Sequence, residues 1–182
     1  MSEIQESPAL QSTETRIPAK AYAAMDVATD LVPWDFSRRT PRPRDVQVEI
    51  LYCGVCHTDI HFIRNDFGMS SYPLVPGHEI VGKVTAVGDQ VKNFKKGDTV
   101  GIGCLVDSCR ECDNCKQDLE QYCLNGNTFT YGSPDKLGDG ITYGGYSNHI
   151  VCDENYVLKV VDNLPLEKVA PLLVPALLRI HH

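Results

Sequence analysis

Four closely spaced cysteines constrain this chain more than any other feature of its sequence. They are Cys109, Cys112, Cys115 and Cys123, in the spacing C-x2-C-x2-C-x7-C. Two-residue spacers let successive thiolates turn onto one ion, and the longer arm closes the tetrahedron in which Zn²⁺ binds sulfur. Because protein would fill all four positions, no place remains for water or substrate. The spacing predicts a structural zinc lobe at about residues 104–126.

An iron–sulfur cluster and four free thiols in a loop are the alternatives for this segment. The ferredoxin run ends C-x3-C-P, whereas here the last gap is seven residues and Leu124 follows Cys123. Four thiolates on Zn²⁺ leave a net negative charge. Arg110 and Lys116, beside the ligands, are expected to offset it. Zinc is therefore the favoured occupant.

Charge and hydropathy exclude several classes of protein. The chain has 182 residues, enough for one sizeable domain, and a net charge of −7, which would repel a phosphate backbone, so no nucleic acid partner is expected. The first twenty residues are polar and acidic, without a signal sequence. The longest apolar run, 169–178, is interrupted by Pro171 and Pro175 and is too short to cross a membrane. We expect a cytoplasmic protein whose eight cysteines bind metal rather than form disulfides.

The alternation of apolar and polar residues predicts a mainly β fold. Val46, Val48 and Ile50 recur with the period of a strand that has one buried face. Many short strands with little helix argue for a compact β-barrel. A leader at 1–15, rich in Ser, Thr, Gln and Glu, is expected to be disordered. Further β-rich runs are 80–87, 99–104, 148–152 and 156–161, and a short helix is expected at 58–64.

A second group of metal-binding residue types lies upstream of the lobe. It comprises Cys53, Cys56 and His57, followed by His78 and Glu79. Taken alone, Cys53 and Cys56 fit either a redox C-x-x-C pair or half of a zinc site. A lone His78 would more often be a packed core histidine than a ligand. The order of the segments around these residues carries more information than any one of them.

That order resembles the signature of the zinc alcohol dehydrogenases, in the medium-chain dehydrogenase/reductase superfamily. The resemblance covers about residues 18–173, and segments 103–106, 118–123 and 144–146 are similar to the cinnamyl-alcohol-dehydrogenase-like branch. The segments that carry the signature are 56–59 (CHTD), 77–84 (GHEIVGKV) and 97–100 (GDTV).

The resemblance implies a GroES-like β-barrel with short helices and a four-cysteine zinc lobe, spanning residues 16–173 and holding two zinc ions. Cys56 and His78 would be ligands of the catalytic zinc, with Glu79 as an alternate ligand. An open position on that zinc would accept the alcohol and lower its pKa. Asp59 would bind the far nitrogen of His78 and fix its tautomer.

Several further roles follow from the same resemblance. Thr58 and His61 resemble a relay that carries the alcohol proton to solvent, and His57 matches a position that contacts the cofactor pyrophosphate. A solvated loop histidine is the alternative for His57. Phe129 and Tyr131 would line the substrate pocket. The remaining thiols, Cys53, Cys104 and Cys152, are interpreted as small buried fillers.

The implied activity is the interconversion of primary or aromatic alcohols and aldehydes, with NADP(H) favoured over NAD(H). Full-length relatives are expected to be homo-oligomers. The chain itself contains neither a G-x-G-x-x-G run nor a P-loop, so we expect the Rossmann domain to be absent and the activity of this chain alone to be negligible. The alternative function is a non-catalytic zinc-binding module, or a partner of intact subunits.

The end of the chain departs from the family pattern. After 170–173 the family continues with Cys-Ala-Gly, whose cysteine is the third protein ligand of the catalytic zinc, but Val174 stands in that place. Valine cannot coordinate a metal. One choice of codons for Cys-Ala-Gly-Ile-Thr-Thr-Tyr-Ser-Pro, followed by the first nucleotide of a leucine codon and read one nucleotide out of frame, encodes residues 174–182 in order. We therefore expect an aberrant tail, with a single-nucleotide frameshift as the hypothesis for its origin.

Overall fold

A computed structural model describes residues 15–136, 140–161 and 163–173. The predicted leader, apart from Thr15, and the predicted tail at 174–182 lie outside the described residues. The strands are β1 Arg16–Ala23, β2 Val32–Arg39, β3 Asp45–Cys53, β4 Ile80–Val87, β5 Thr99–Ile102, β6 Leu105–Asp107, β7 Thr128–Phe129, β8 His149–Asp153 and β9 Val157–Lys159. The helices are α1 His57–Ile63 and α2 Leu166–Val169, with 3-10 turns at Cys115–Gln117, Glu120–Tyr122, Glu154–Tyr156 and Ala170–Leu172.

The centre of the fold is an antiparallel sheet of five strands in the order β8-β3-β4-β5-β9, curled into a half-barrel. Register shifts after Gln47 and after Ile50 mark irregularities in β3, and such bulges bend a strand. The predicted mainly β fold with short helices is confirmed. The strand predicted at 156–161 is shorter because the 3-10 turn Glu154–Tyr156 takes up its first residue.

Apolar side chains cover both faces of this sheet. The inner face holds the largest cluster of buried residues, in which Val48, Ile80 and Ile102 are fully buried. On the opposite face, Val81 packs with Val169 and other residues around α2. β-branched residues suit this position because they pack well on a pleated, buried surface, and each fully buried one contributes roughly 1.5–3 kcal/mol.

The β1–β2 hairpin is joined to the segment that leads into β8. The Tyr22 N–H donates to the Tyr146 carbonyl at 2.8 Å, and the Asn148 N–H donates to the Lys20 carbonyl at 3.0 Å. This junction brings Tyr146 over the loop before β4, where the second group of metal-binding residues lies. None of the helices in the described ranges is long and apolar enough to cross a membrane.

Two candidate metal centres

The four-cysteine lobe brings its sulfur atoms together without any change to the predicted set. The ligand atoms of Cys109, Cys112, Cys115 and Cys123 all lie within 4.8 Å of one another. The 3-10 turn at Cys115–Gln117 points its first residue inward. The backbone N–H of Cys112 donates to Cys109 Sγ at 3.4 Å, and that of Cys109 donates to Cys123 Sγ at 3.5 Å. Such bonds favour sulfur in its charged form.

This geometry fits a zinc ion. At a Zn–S distance of about 2.3 Å, tetrahedral coordination separates neighbouring sulfur atoms by about 3.8 Å. Cys109 Sγ and Cys115 Sγ are 3.8 Å apart. Zinc would be held here by four thiolates, which complete its usual coordination and leave a structural role.

Protonation of the lobe is uneven in the metal-free state. A hydrogen bond from the backbone N–H of Glu111 lowers the pKa of the Cys109 thiol to about 6. Burial raises the pKa of the Cys115 thiol to about 11. Burial thus opposes ionisation of Cys115, and binding of a divalent cation would favour loss of its proton.

Arg110 differs from its predicted role. Its guanidinium donates to Asp107 Oδ1 and to Asp153 Oδ2, both at 2.6 Å, rather than lying free beside the thiolates. Asp107 ends β6 and Asp153 ends β8, so the arginine ties the lobe to the barrel. The physical reason is the cost of burying unpaired charge. The two carboxylates are each less than a tenth exposed and lie within reach of the guanidinium, so pairing them with Arg110 is more favourable than leaving the arginine beside the open lobe.

The second centre is assembled by one helix start and one buried loop. Cys56 is the N-cap of α1, while His78 and Glu79 end the loop that runs into β4. His78 and Glu79 are 5% and 6% exposed, and the donor atoms of all three residues lie within 4.8 Å of one another. Among the described residues, these three and the four lobe cysteines are the groups able to hold a metal.

Asp59 lies beneath this centre and accepts hydrogen bonds at both carboxylate oxygens. Its Oδ1 accepts from the Gly77 N–H at 3.0 Å and lies 3.1 Å from His78 Nδ1. Its Oδ2 accepts from the Cys56 N–H at 2.9 Å and from the Tyr146 hydroxyl at 3.4 Å. An ionised carboxylate can only accept hydrogen bonds, so it accepts from His78 Nδ1 as it does from the two backbone N–H groups. The imidazole proton is thereby held on Nδ1, and the Nε2 lone pair is free to bind a metal.

Charge complementarity supports this arrangement. Burial alone would raise the pKa of Asp59, but hydrogen bonds from His78 and from the Cys56 N–H lower it overall. Burial alone would lower the pKa of His78, but Asp59 raises it overall. Burial also opposes ionisation of Cys56, yet its contacts with Thr58 and His78 lower the pKa of that thiol. The three side chains are a thiol whose pKa is lowered, an oriented imidazole and a buried carboxylate.

The observed position of the Glu79 carboxylate requires a residue without a side chain at position 54. A Cβ built at Gly54 would lie 2.0 Å from Glu79 Oε2, so only glycine leaves room for the carboxylate in this position. Burial raises the pKa of Glu79. A sulfur, a nitrogen and an oxygen donor on one side of a site suit zinc with a position left open.

Cys53 does not form the redox pair that its spacing from Cys56 allowed. Burial raises the pKa of its thiol to about 12, which disfavours the thiolate that redox exchange requires. Cys53 packs beside the inner core cluster, as a filler does. Cys152 is fully buried in the same cluster, while Cys104 is only half-buried.

An aromatic wall runs from the predicted relay to the metal centre. Ring centroids are separated by 5.2 Å from His61 to Phe67, 5.6 Å from Phe67 to Phe62, 5.2 Å from Phe62 to Tyr131 and 5.7 Å from Tyr131 to His78. Tyr131 is 4% exposed, so it is a buried part of this wall. The wall offers an apolar surface beside the candidate ligands, with neighbouring rings inclined at 42° to 85° to one another.

The other predicted site residues lie around α1. The Cys56 thiol donates to Thr58 Oγ1 at 3.6 Å. His61 Nδ1 lies 2.7 Å from Asp66 Oδ2, at the surface. His57 is exposed, with its ring 6.0 Å from that of His61. The helix thus gathers the predicted residues on one short segment.

Comparison with known proteins decides the family. Residues 42–162 match the alcohol dehydrogenase GroES-like domain family. This match covers most of the chain and includes both candidate metal centres.

The chain belongs to this family.

The relatives of this family member include alcohol dehydrogenase 9 of Catharanthus roseus, which is 53% identical over 90% of this chain and 45% of its own length. NADP-dependent alcohol dehydrogenase C of Mycobacterium bovis is 53% identical over 84% of this chain and 44% of its own length. The crystal structure of CAD from Helicobacter pylori complexed with NADP(H) has a TM-score of 0.84 and 49% identity, and covers 87% of this chain and 46% of that one. The chain therefore spans somewhat less than half the length of these relatives.

Three features of the family member's site escaped sequence reasoning. Tyr146 and Asp59 are 87 positions apart, Gly54 protects a carboxylate 25 positions away, and Asp66 pairs with His61 five residues upstream. The His61–Asp66 pair is the most local of the three, but Asp66 lies beyond the end of α1, so helical spacing does not predict it. Phe129, predicted to line the pocket, ends β7 and is 41% exposed.

Proposed function

We propose that residues 16–173 are the zinc-binding domain of a zinc-dependent alcohol dehydrogenase that interconverts alcohols and aldehydes with NADP(H). The observation that carries this proposal is the convergence of Cys56, His78 and Glu79 above a carboxylate, Asp59, that orients the imidazole. A purely structural zinc site would have no need of an alternate carboxylate ligand in a buried, sterically cleared position.

Cys56 and His78 would hold the catalytic zinc, with Glu79 as alternate ligand. When bound, zinc supplies Lewis acidity that lowers the pKa of an alcohol. The chain's own contribution is positional: the Gly77 N–H and the Cys56 N–H fix Asp59, and Asp59 fixes the His78 tautomer. Ligands held in this way need little rearrangement when the metal arrives.

Thr58 and His61 would conduct the alcohol proton to solvent. Asp66 supports this role because its carboxylate binds His61 Nδ1 and leaves Nε2 to take a proton. The His61 side chain is 41% exposed, so the proton has a route to water. Imidazole titrates near neutral pH, which suits a relay.

The substrate would be a primary alcohol or aldehyde that carries an aromatic or other apolar group. The wall of Phe62, Phe67 and Tyr131 leads to His78 and offers rings for stacking. Phe67 is 55% exposed and available for contact. The names of the relatives, which include cinnamyl alcohol dehydrogenases and an 8-hydroxygeraniol dehydrogenase, support this class.

NADP(H) would be the cofactor of the full-length enzyme, with His57 contacting its pyrophosphate. The Helicobacter pylori relative was crystallised with NADP(H), and the Mycobacterium bovis relative is NADP-dependent. His57 is exposed at the first turn of α1, where a solvent-borne ligand can reach it. The 182-residue polypeptide contains no G-x-G-x-x-G run, so we expect negligible NADPH-dependent turnover from it alone.

A non-catalytic zinc-binding module is the second candidate function. It is favoured by one observation: Val174 occupies the position at which the family supplies a third protein ligand. Such a module would load the four-cysteine lobe alone and would hold no zinc at Cys56 and His78.

Metal stoichiometry tests the two functions. Native mass spectrometry of the purified chain is expected to show one tightly held zinc and a second that is lost first on dilution or chelation. The variant Cys56→Ser should lose only the second ion, and Cys112→Ser only the first. Retention of a single zinc that Cys56→Ser leaves unchanged would favour the module. A folded chain that carries no zinc would refute both functions.

Activity is then measured in a chimera that joins this chain to the complete cofactor-binding half of a relative in one polypeptide. The third cysteine ligand is restored at position 174. NADPH-dependent reduction of an aromatic aldehyde is expected from that chimera, and its Cys56→Ser variant should be inactive. A chimera that binds both zinc ions and NADPH but reduces no aldehyde would contradict the proposed reaction.

A further inference from the structure

The phenol of Tyr146 contacts the buried carboxylate beneath the candidate catalytic centre. Its hydroxyl lies 3.4 Å from Asp59 Oδ2, on the oxygen that also accepts from the Cys56 N–H. Asp59 is 1% exposed, so no bulk water reaches it to replace a lost donor. Oδ1 is taken by the Gly77 N–H and His78, which leaves Tyr146 as the second donor that balances Oδ2.

The backbone holds Tyr146 in place from two directions. Its N–H donates to the Pro76 carbonyl at 3.0 Å, and its carbonyl accepts from the Tyr22 N–H at 2.8 Å. The ring lies against Gly77, where an added Cβ would be 2.7 Å from Tyr146 Cδ1. Gly77 has a φ of +101°, a conformation that L side chains rarely adopt. The phenol therefore packs against the residue that directly precedes the candidate ligand His78.

Packing alone does not account for a tyrosine at this position. Tyr146 is half-buried and lines an open groove of about 690 Å³ with Tyr22, Trp34 and Tyr52. A phenylalanine would fill the same space on the groove side. The hydroxyl group is what reaches Asp59, and a hydrogen bond to a charged acceptor is stronger than one between neutral groups.

We propose that Tyr146 is a positioning residue, whose hydroxyl holds the Asp59 carboxylate in the plane that orients His78 toward the metal. This inference rests on the proposed function, because it concerns the same metal centre. Without the hydroxyl, Oδ2 loses one of its two hydrogen bonds and keeps that of the Cys56 N–H, while the Tyr131 hydroxyl still interacts with the same carboxylate. The carboxylate gains freedom to turn about its Oδ1 contacts. The imidazole then loses part of its fixed orientation, and metal binding becomes weaker.

The test compares Tyr146→Phe with Tyr143→Phe in the full 182-residue chain. Both changes remove one hydroxyl, but Tyr143 packs its ring against Trp34 and Phe36, away from Asp59. The lobe is first loaded with one equivalent of Zn²⁺, and Co²⁺ is then titrated while its thiolate charge-transfer absorption is followed. Cys56→Ser identifies the signal of the second site. Circular dichroism verifies the fold of each variant.

Tyr146→Phe is expected to weaken Co²⁺ binding at the second site by about three- to tenfold, the range for losing one hydrogen bond to an outer partner of a ligand. In the metal-free chain, the ¹⁵N shifts of the His78 ring should change from a fixed Nδ1–H tautomer toward a mixture. Tyr143→Phe should alter neither measurement. A folded Tyr146→Phe variant with unchanged Co²⁺ affinity and an unchanged His78 tautomer would overturn the proposal.

Two further readouts separate this proposal from the proposed function. If the wild-type chain binds no Co²⁺ at Cys56 and His78, the metal centre fails, yet the tautomer measurement still tests Tyr146. The ¹³Cζ resonance of Tyr146 in the wild-type chain requires no variant and should report a hydrogen-bonded phenol. A value equal to that of Tyr22, which is 58% exposed, would count against the contact with Asp59.

Discussion

Replacing Asp59 with asparagine removes one acceptor and one negative charge while it keeps the shape of the side chain. The carboxylate accepts from two backbone N–H groups, from His78 and from Tyr146, and it is 1% exposed. An amide has one oxygen, so its NH₂ group must face donors on the other side. The Cys56 and Gly77 N–H groups cannot reverse their roles, and at least one of them is left without an acceptor.

The expected cost follows from these contacts. A buried donor without a partner costs about 1–3 kcal/mol, and a hydrogen bond to a charged group contributes about 1.5–3 kcal/mol. The Tyr146 hydroxyl can rotate to accept from the amide, which limits the loss to the Cys56 or Gly77 N–H and the charged contact with His78. We expect Asp59→Asn to lower the free energy of unfolding by about 2.5–6 kcal/mol and the zinc affinity of the second centre by about 10–100-fold.

Urea unfolding, followed by the fluorescence of the single tryptophan, Trp34, measures the first quantity. Competition with a chromogenic chelator measures the second, with the four-cysteine lobe as an internal reference. The matched control is Asp66→Asn, which makes the same chemical change in a pair whose carboxylate is 45% exposed. That variant should cost less than about 1 kcal/mol. An Asp59→Asn chain as stable as wild type, with unaltered zinc affinity, would refute the assignment of Asp59 as an obligate acceptor.

Three other perturbations have defined outcomes. Gly54→Ala places a Cβ 2.0 Å from Glu79 Oε2, so the Glu79 carboxylate must move. Chelator competition should then show a changed zinc affinity at the second centre and an unchanged affinity at the lobe. Equal changes at both centres would argue against a local clash. Arg110→Ala strands two buried carboxylates and should lower the free energy of unfolding by about 1–3 kcal/mol in urea titrations, whereas no loss would mean that the arginine does not tie the lobe to the barrel. Burial lowers the pKa of His149 below the ordinary histidine value of about 6.5. Its contribution to stability is therefore complete above that pH and is lost as the pH falls toward the folded-state pKa. His149→Gln should flatten the acid side of the stability profile, and an identical slope in the variant would contradict this.

Local spacing predicted the elements well, and the candidate ligands that it grouped lie close together. The lobe cysteines are two or seven residues apart, so even an extended chain cannot separate them by much, and their convergence needed only suitable turns. Alternating Val46, Val48 and Ile50 correctly indicated β3, and the helix expected at 58–64 is observed as His57–Ile63.

Contacts across many residues could not be predicted in the same way. The partners of Arg110 include Asp153, 43 positions away, and their approach depends on the end of β8 facing the lobe. The charge of Arg110 was expected to compensate the thiolates, but the sheet places two carboxylates within its reach first. Sequence reasoning had no means of ranking these alternatives, because ion pairing depends on distance and burial rather than on residue type.

The amino-acid sequence alone determined which residue types could bind metal, the closed nature of the cysteine lobe and the period of the strands. Those properties are local, since they depend on a few bonds between neighbouring residues. Tertiary structure alone decided that Asp59 accepts from four groups, that Gly54 makes room for Glu79 and that Tyr146 reaches the metal centre. These contacts form because β3 pairs with β4 in one register and because segment 144–146 crosses residues 75–77. No single segment of the chain encodes that register by itself.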